Sequence, residues 1–138
     1  MQLHHTLIAV LAFATSTLSV KVDVYDGPKE CEDSEKVKNG QQLTMEYTGS
    51  IDQSSETGEK GKQFDTSRGR EPFAFQIGQG RVIPGWDNGL LGLCKGAKAT
   101  LLIPPEEGYG ASGAGDAIPG GATLLFDVGE YLATIFSS

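Results

Sequence analysis

Histidine is confined to positions 4 and 5 of this 138-residue chain. From residue 6 onward, a Ser-His-Asp or Cys-His nucleophile and a His-bearing metal site are therefore excluded. Cysteine is as scarce. Cys31 and Cys94 are the only two, with no C-x-x-C, which argues against dithiol redox chemistry of that kind. Cations are in deficit too, with 11 Lys and Arg against 18 Asp and Glu and a net charge of −7. No basic stripe, aromatic ladder interleaved with Lys or Arg, or polybasic patch is present, so nucleic acid is not an expected partner. Gly78-x-Gly80 lacks the third glycine of a dinucleotide fingerprint, Ile83 standing in its place. Neither Asn39 nor Asn88 opens a glycosylation sequon. His4 and His5 have no third ligand nearby, and no metal or cofactor is expected.

Charge is missing altogether from residues 1–19, which contain no Asp, Glu, Lys or Arg. Within them Leu7 to Ala14 is a continuous apolar block, followed by Thr15-Ser16-Thr17-Leu18-Ser19. The block is too short to span a bilayer and has the layout of a secretory signal peptide, with Thr17 and Ser19 as the small residues before a cleavage site. Residues 1–19 are read as that leader and 20–138 as one domain, the length being too short for two. A short uncleaved anchor is the alternative. In an oxidising compartment Cys31 and Cys94 most simply pair, two buried free thiols being the other possibility.

What is present is glycine around a few large side chains. Trp86, the only tryptophan, lies in Gly78-Gln79-Gly80-Arg81-Val82-Ile83-Pro84-Gly85-Trp86-Asp87-Asn88-Gly89-Leu90-Leu91-Gly92. Pro84 suits a first helical turn and Gly92 a left-handed helix end, which predicts a loop running into one brief helix. Trp86 and Leu90 share a face, which is either core or the floor of a pocket. Period-two alternation predicts strands at Lys21–Tyr25, Leu43–Gly49, Phe73–Ile77, Ala97–Ile103 and Thr123–Val128. Residues 52–62 read as a solvated loop, and 108–121 as a glycine-rich loop carrying Tyr109 and Ile118. The expected class is α+β: an antiparallel sheet of about five strands wrapped around one short helix.

Read in order, Tyr47-Thr48-Gly49, Phe64-Asp65-Thr66-Ser67, Phe73-x-Phe75, Gly78-x-Gly80-x-Val82-Ile83-x-Gly85-Trp86, Gly108-Tyr109-Gly110, Ile118-Pro119 and Ala122-Thr123-Leu124-x-Phe126 resemble the FKBP-type peptidyl-prolyl cis-trans isomerases over residues 22–132. The leader with Cys31 and Cys94 resembles the family's small secretory-pathway members, in which corresponding cysteines pair. The resemblance implies a pocket with Tyr47, Asp65, Tyr109 and Phe126 as catalytic residues. Phe64, Arg70, Phe73, Val82, Ile83, Trp86 and Ile118 would bind substrate or a macrolide such as rapamycin. Asp65 has no proton to move in such a reaction, and orienting Tyr47 or pairing with Arg70 is its expected work. A proline-binding chaperone module with little turnover is the competing function. The expected protein is a monomer of the endoplasmic reticulum lumen. The tail ends without a Lys-Asp-Glu-Leu-like signal, so secretion or another lumen stays open.

Overall fold

The computed structural model describes residues 19–129, so the leader before Ser19 and the tail after Gly129 lie outside the described residues. Six strands, β1 (Lys21–Asp26), β2 (Gln42–Ile51), β3 (Gln63–Thr66), β4 (Phe73–Gln76), β5 (Lys98–Ile103) and β6 (Leu124–Gly129), surround one helix, α1 (Pro84–Gly89). Short 3-10 turns occur at Asp33–Glu35 and Pro105–Glu107. All pairings are antiparallel, in the order β1-β5-β6-β2-β3, and β4 pairs with the first half of β2.

Alternation explains which face is buried. Leu43, Met45 and Ile51 of β2, Ala99, Leu101 and Ile103 of β5, and Leu124, Phe126 and Val128 of β6 all point into one core with Ile77, Trp86 and Leu90. The sixth strand is β3, which alternation misses because Phe64 is its only apolar residue; backbone pairing of Thr48 with Thr66 and Gly49 with Asp65 makes it a strand. β1 contacts the core through Val24. It is an edge strand, paired only with β5, and its Val22 and Tyr25 are exposed. Gly129, which interrupts the alternation, stays in β6 opposite Glu46.

Helix α1 packs on β5 where Gly85 meets Ile103. A Cβ at Gly85 would lie 2.6 Å from the Ile103 side chain, so the absence of one sets the approach. Pro84 sits in the first turn as anticipated. The helix ends earlier than Gly92: its last residue is Gly89, and the Leu90 N–H donates to the Trp86 carbonyl. Gly92 does adopt a positive φ of 81°, but its N–H donates to the Val37 carbonyl, tying the turn after the helix to another segment.

That segment is also held by Val37 N–H to the Leu93 carbonyl and Lys95 N–H to the Glu35 carbonyl, each at 2.9 Å. The Cys31–Cys94 disulfide completes the strap, across a sequence separation of 63. Closing a loop of that length stabilises by about 4 kcal/mol in the chain-entropy model. Alkylation of unreduced protein should therefore label neither cysteine, and the double variant Cys31→Ser, Cys94→Ser should lose up to about 4 kcal/mol in denaturant unfolding. Two labelled thiols in the native protein would refute the pairing.

Candidate functional site

A cavity of about 350 Å³ opens where β2, β3 and β6 meet helix α1 and the loop after β5. Its floor is Trp86, only 5% exposed, and the choice between core and pocket floor dissolves: the indole belongs to the core cluster and lines the cavity. The rings of Tyr47, Phe126 and Phe73 stand edge-on to it at centroid distances of 5.0, 5.1 and 5.9 Å, and Phe64 is edge-on to Phe126 at 5.5 Å. These are the separations at which the positive edge of one ring meets the negative face of another. Gly49 lets two of them meet, since a Cβ there would lie 2.6 Å from the Phe126 ring and 2.7 Å from the Phe64 ring. The Trp86 indole N–H is buried without an acceptor among the described residues. A buried orphan donor costs about 1–3 kcal/mol, a cost more typical of a site than of a plain core.

The polar side of the cavity is organised by Asp65 on β3. Its Oδ2 accepts the Tyr47 hydroxyl at 2.6 Å and its Oδ1 accepts Arg70 Nη2 at 3.0 Å. Both partners expected for Asp65 are thus engaged together. Arg70 also donates to the Thr66 carbonyl. The ion pair is largely exposed and adds little stability by itself; its effect is to fix the carboxylate that fixes Tyr47. Burial, then the hydrogen bond to Asp65, pushes the Tyr47 phenol up to about 12. Burial likewise raises Tyr109. Both hydroxyls stay protonated near neutrality and remain donors.

Of the residues singled out in the sequence, Tyr47, Phe64, Asp65, Phe73, Val82, Ile83, Trp86, Tyr109, Ile118 and Phe126 line this cavity. Arg70 does not. It stands behind Asp65, beside Glu71 and Pro72, because its guanidinium is drawn to the carboxylate and the Thr66 carbonyl. Arg81, Ala114 and Ala117 complete the lining and were not anticipated as wall residues. Ala114 and Ala117 lie at a tight loop tip, closed by paired hydrogen bonds between the Ala114 and Ile118 backbones. Another unanticipated residue is Asp87 of α1, whose carboxylate accepts the Gly78 and Gly80 N–H groups at 2.7 and 3.0 Å. It orders the loop that presents Val82 and Ile83. A carboxylate one position after the tryptophan, following glycines with free N–H groups, was the available signal.

The 52–62 segment is the largely exposed loop its composition suggests, but two of its residues anchor it. Ser55 is 1% exposed; its hydroxyl donates to the Thr57 carbonyl and accepts the Thr123 N–H. The Thr57 hydroxyl donates to the Gly120 carbonyl at 2.9 Å. Small polar residues here satisfy backbone groups of the loop that carries Ile118, which hydropathy cannot reveal. Thr57→Val, which removes that hydrogen bond and keeps the shape, should speed amide exchange at Ile118 and Gly121 by about fivefold, the equivalent of one neutral hydrogen bond, while Thr57→Ser should not. Exchange rates unchanged in both variants would show that the loop holds itself.

Known proteins arrange similar sequences. The chain is 48% identical over 124 residues to FK506-binding protein 2B of Rhizopus delemar, covering 89% of this chain and 56% of that protein. It is 43% identical over 123 residues to FK506-binding protein 2 of Dictyostelium discoideum, covering 88% and 86%. It is 50% identical over 94 residues to the human peptidyl-prolyl cis-trans isomerase FKBP2, covering 67% and 61%. The match thus spans little more than half of the first of these relatives and most of the second. Residues 33–129, which carry every cavity-lining side chain, match the profile of the FKBP-type peptidyl-prolyl cis-trans isomerases, and the chain belongs to that family.

Proposed function

We propose that this domain is a peptidyl-prolyl cis-trans isomerase that accelerates X-Pro isomerisation during protein folding in the secretory pathway. The observation that carries the reading is the cavity floored by Trp86 and walled by edge-on aromatic rings, with hydroxyl donors at its rim. Rotating an X-Pro amide faces a barrier of about 18–20 kcal/mol. Turnover at roughly 10²–10³ per second requires about 6 kcal/mol of that to be removed, which needs no covalent step.

At the twisted transition state the amide loses its C–N double-bond character and much of its charge separation. A proline ring seated on Trp86 among Phe64, Phe73 and Phe126 places the amide where its planar, polar form is less well solvated than the twisted one. Hydrogen bonds fix the flanking carbonyls. The Tyr109 side chain is exposed and its hydroxyl has no partner among the described residues, which leaves it available as a donor. The Ile83 backbone, ordered through Asp87, is the second donor. Asp65 transfers no proton; it holds Tyr47 against the indole. The relatives named as FK506-binding proteins support the same cavity taking a macrolide such as rapamycin.

A secretory location is part of the proposal. The leader reading of residues 1–19 supports it, as does a disulfide, which persists in an oxidising lumen. The endoplasmic reticulum is the preferred compartment.

Trp86→Leu and Phe126→Ala should each lower kcat/KM on a proline peptide by about tenfold or more, whereas Asp65→Asn should retain roughly a third or more, because apolar enclosure and not proton transfer carries the rate. A protease-coupled peptide assay measures both, and its absence of turnover with intact macrolide binding would favour the binding-module reading. The rate should also be flat between about pH 5 and 8, as no proton moves. Stability has its own alkaline limit. Tyr47 and Tyr25 ionise near 12 in the folded protein against about 10 unfolded, the latter through its hydrogen bond to Asp127. Their contribution is complete below pH 10 and is lost between 10 and 12. A bell-shaped rate profile around neutrality would count against this mechanism.

A further inference from the structure

The backbone N–H of Val20 donates to Glu107 Oε2 at 3.1 Å, across 87 residues of sequence. The other oxygen, Oε1, accepts Asn88 Nδ2 of helix α1 at 3.3 Å. One carboxylate in the 3-10 turn after β5 therefore joins the approach to β1 with the helix that carries the cavity floor. Val20 is itself part-buried and packed against the core, close to Gly89 and Leu101, whereas Ser19 is exposed. Exposure at Ser19 thus gives way to anchorage at Val20. The Ser19–Val20 bond also follows the small residues Thr17 and Ser19 of the leader.

We infer that processing occurs at Ser19–Val20 and that the amino group it creates is received by Glu107. Hydrolysis of the bond adds one water: Ser19 leaves with the carboxylate and Val20 acquires an α-amine, which takes up a proton near neutral pH. The nitrogen that donates one neutral N–H becomes an ammonium with three donors facing the carboxylate it already contacts. Charge-assisted hydrogen bonds are roughly twice as strong as neutral ones, and this one is partly shielded from water. Leader removal then does more than release the domain. It completes a clamp of Val20, Glu107 and Asn88 that holds β1 and helix α1 together. A start one residue earlier would carry the charge about 3.8 Å away and lose the pairing.

This inference rests on the leader reading and is independent of catalysis. The chain with its leader, expressed in a secretory host, should be recovered with Val20 as its first residue by intact mass and amino-terminal sequencing. Cleavage at any other bond overturns the inference and leaves the leader reading intact; an uncleaved product overturns both. Domains beginning at Val20 and at Ser19, released from a fusion partner, are then compared at pH 6.5 in low salt with and without Glu107→Gln. The Val20 form should melt about 3 °C higher when Glu107 is present, and the two should melt within about 1 °C of each other in the variant. A gap that persists without the carboxylate, or no gap with it, would show that Glu107 does not receive the new amine.

Discussion

Contact between helix α1 and the sheet at Gly85 sets the geometry of the site. With no side chain at that position, the helix lies against Ile103 of β5, and the next residue, Trp86, is delivered into the space between the core and the surface. Four rings pack directly against the indole. Tyr47 and Phe126 approach it edge-on, Phe73 leans on it, and Phe75 fills the space behind at 5.6 Å. The cavity is thus continuous with the core, and its rigidity is that of packed aromatic side chains.

Polar groups around that apolar centre are arranged to hold rings and loops. Asp65 spends its two oxygens on Tyr47 and Arg70, and Asp87 spends its own on the Gly78 and Gly80 amides. Neither carboxylate is aimed at a reacting proton. Both restrict a segment that borders the cavity: β3 in one case, the approach to Val82 and Ile83 in the other. The proposed isomerisation needs shape and low polarity above all, and a chain without histidine in its domain can supply these from aromatic residues, glycine and well-placed carboxylates.

The strands of the core were legible because each carries its apolar residues at every second position, and the helix because Pro84 and Trp86 mark it. β3 was not, as a strand with one apolar residue is made by its neighbours' backbones. Most of the cavity could be read by resemblance from its aromatic motifs. Arg70, which the resemblance placed in the wall, stands outside the lining because its guanidinium pairs with Asp65 and the Thr66 carbonyl. Within the exposed 52–62 loop, the anchoring residues Ser55 and Thr57 were missed for a related reason. Ser55 and Thr57 look like solvent residues by composition, and their burial depends on carbonyl and amide groups of a loop more than sixty residues away.

The strand order has a bearing on how such a chain is made. β6, the last strand among the described residues, lies in the interior of the sheet between β5 and β2. During synthesis β2 emerges about eighty residues before its central neighbour, as in the pairing of Glu46 with Gly129. The sheet therefore cannot close around a partial chain, and Tyr47 and Phe64 lack the Phe126 ring until β6 arrives. Such non-local pairing slows folding and prolongs exposure of apolar surface.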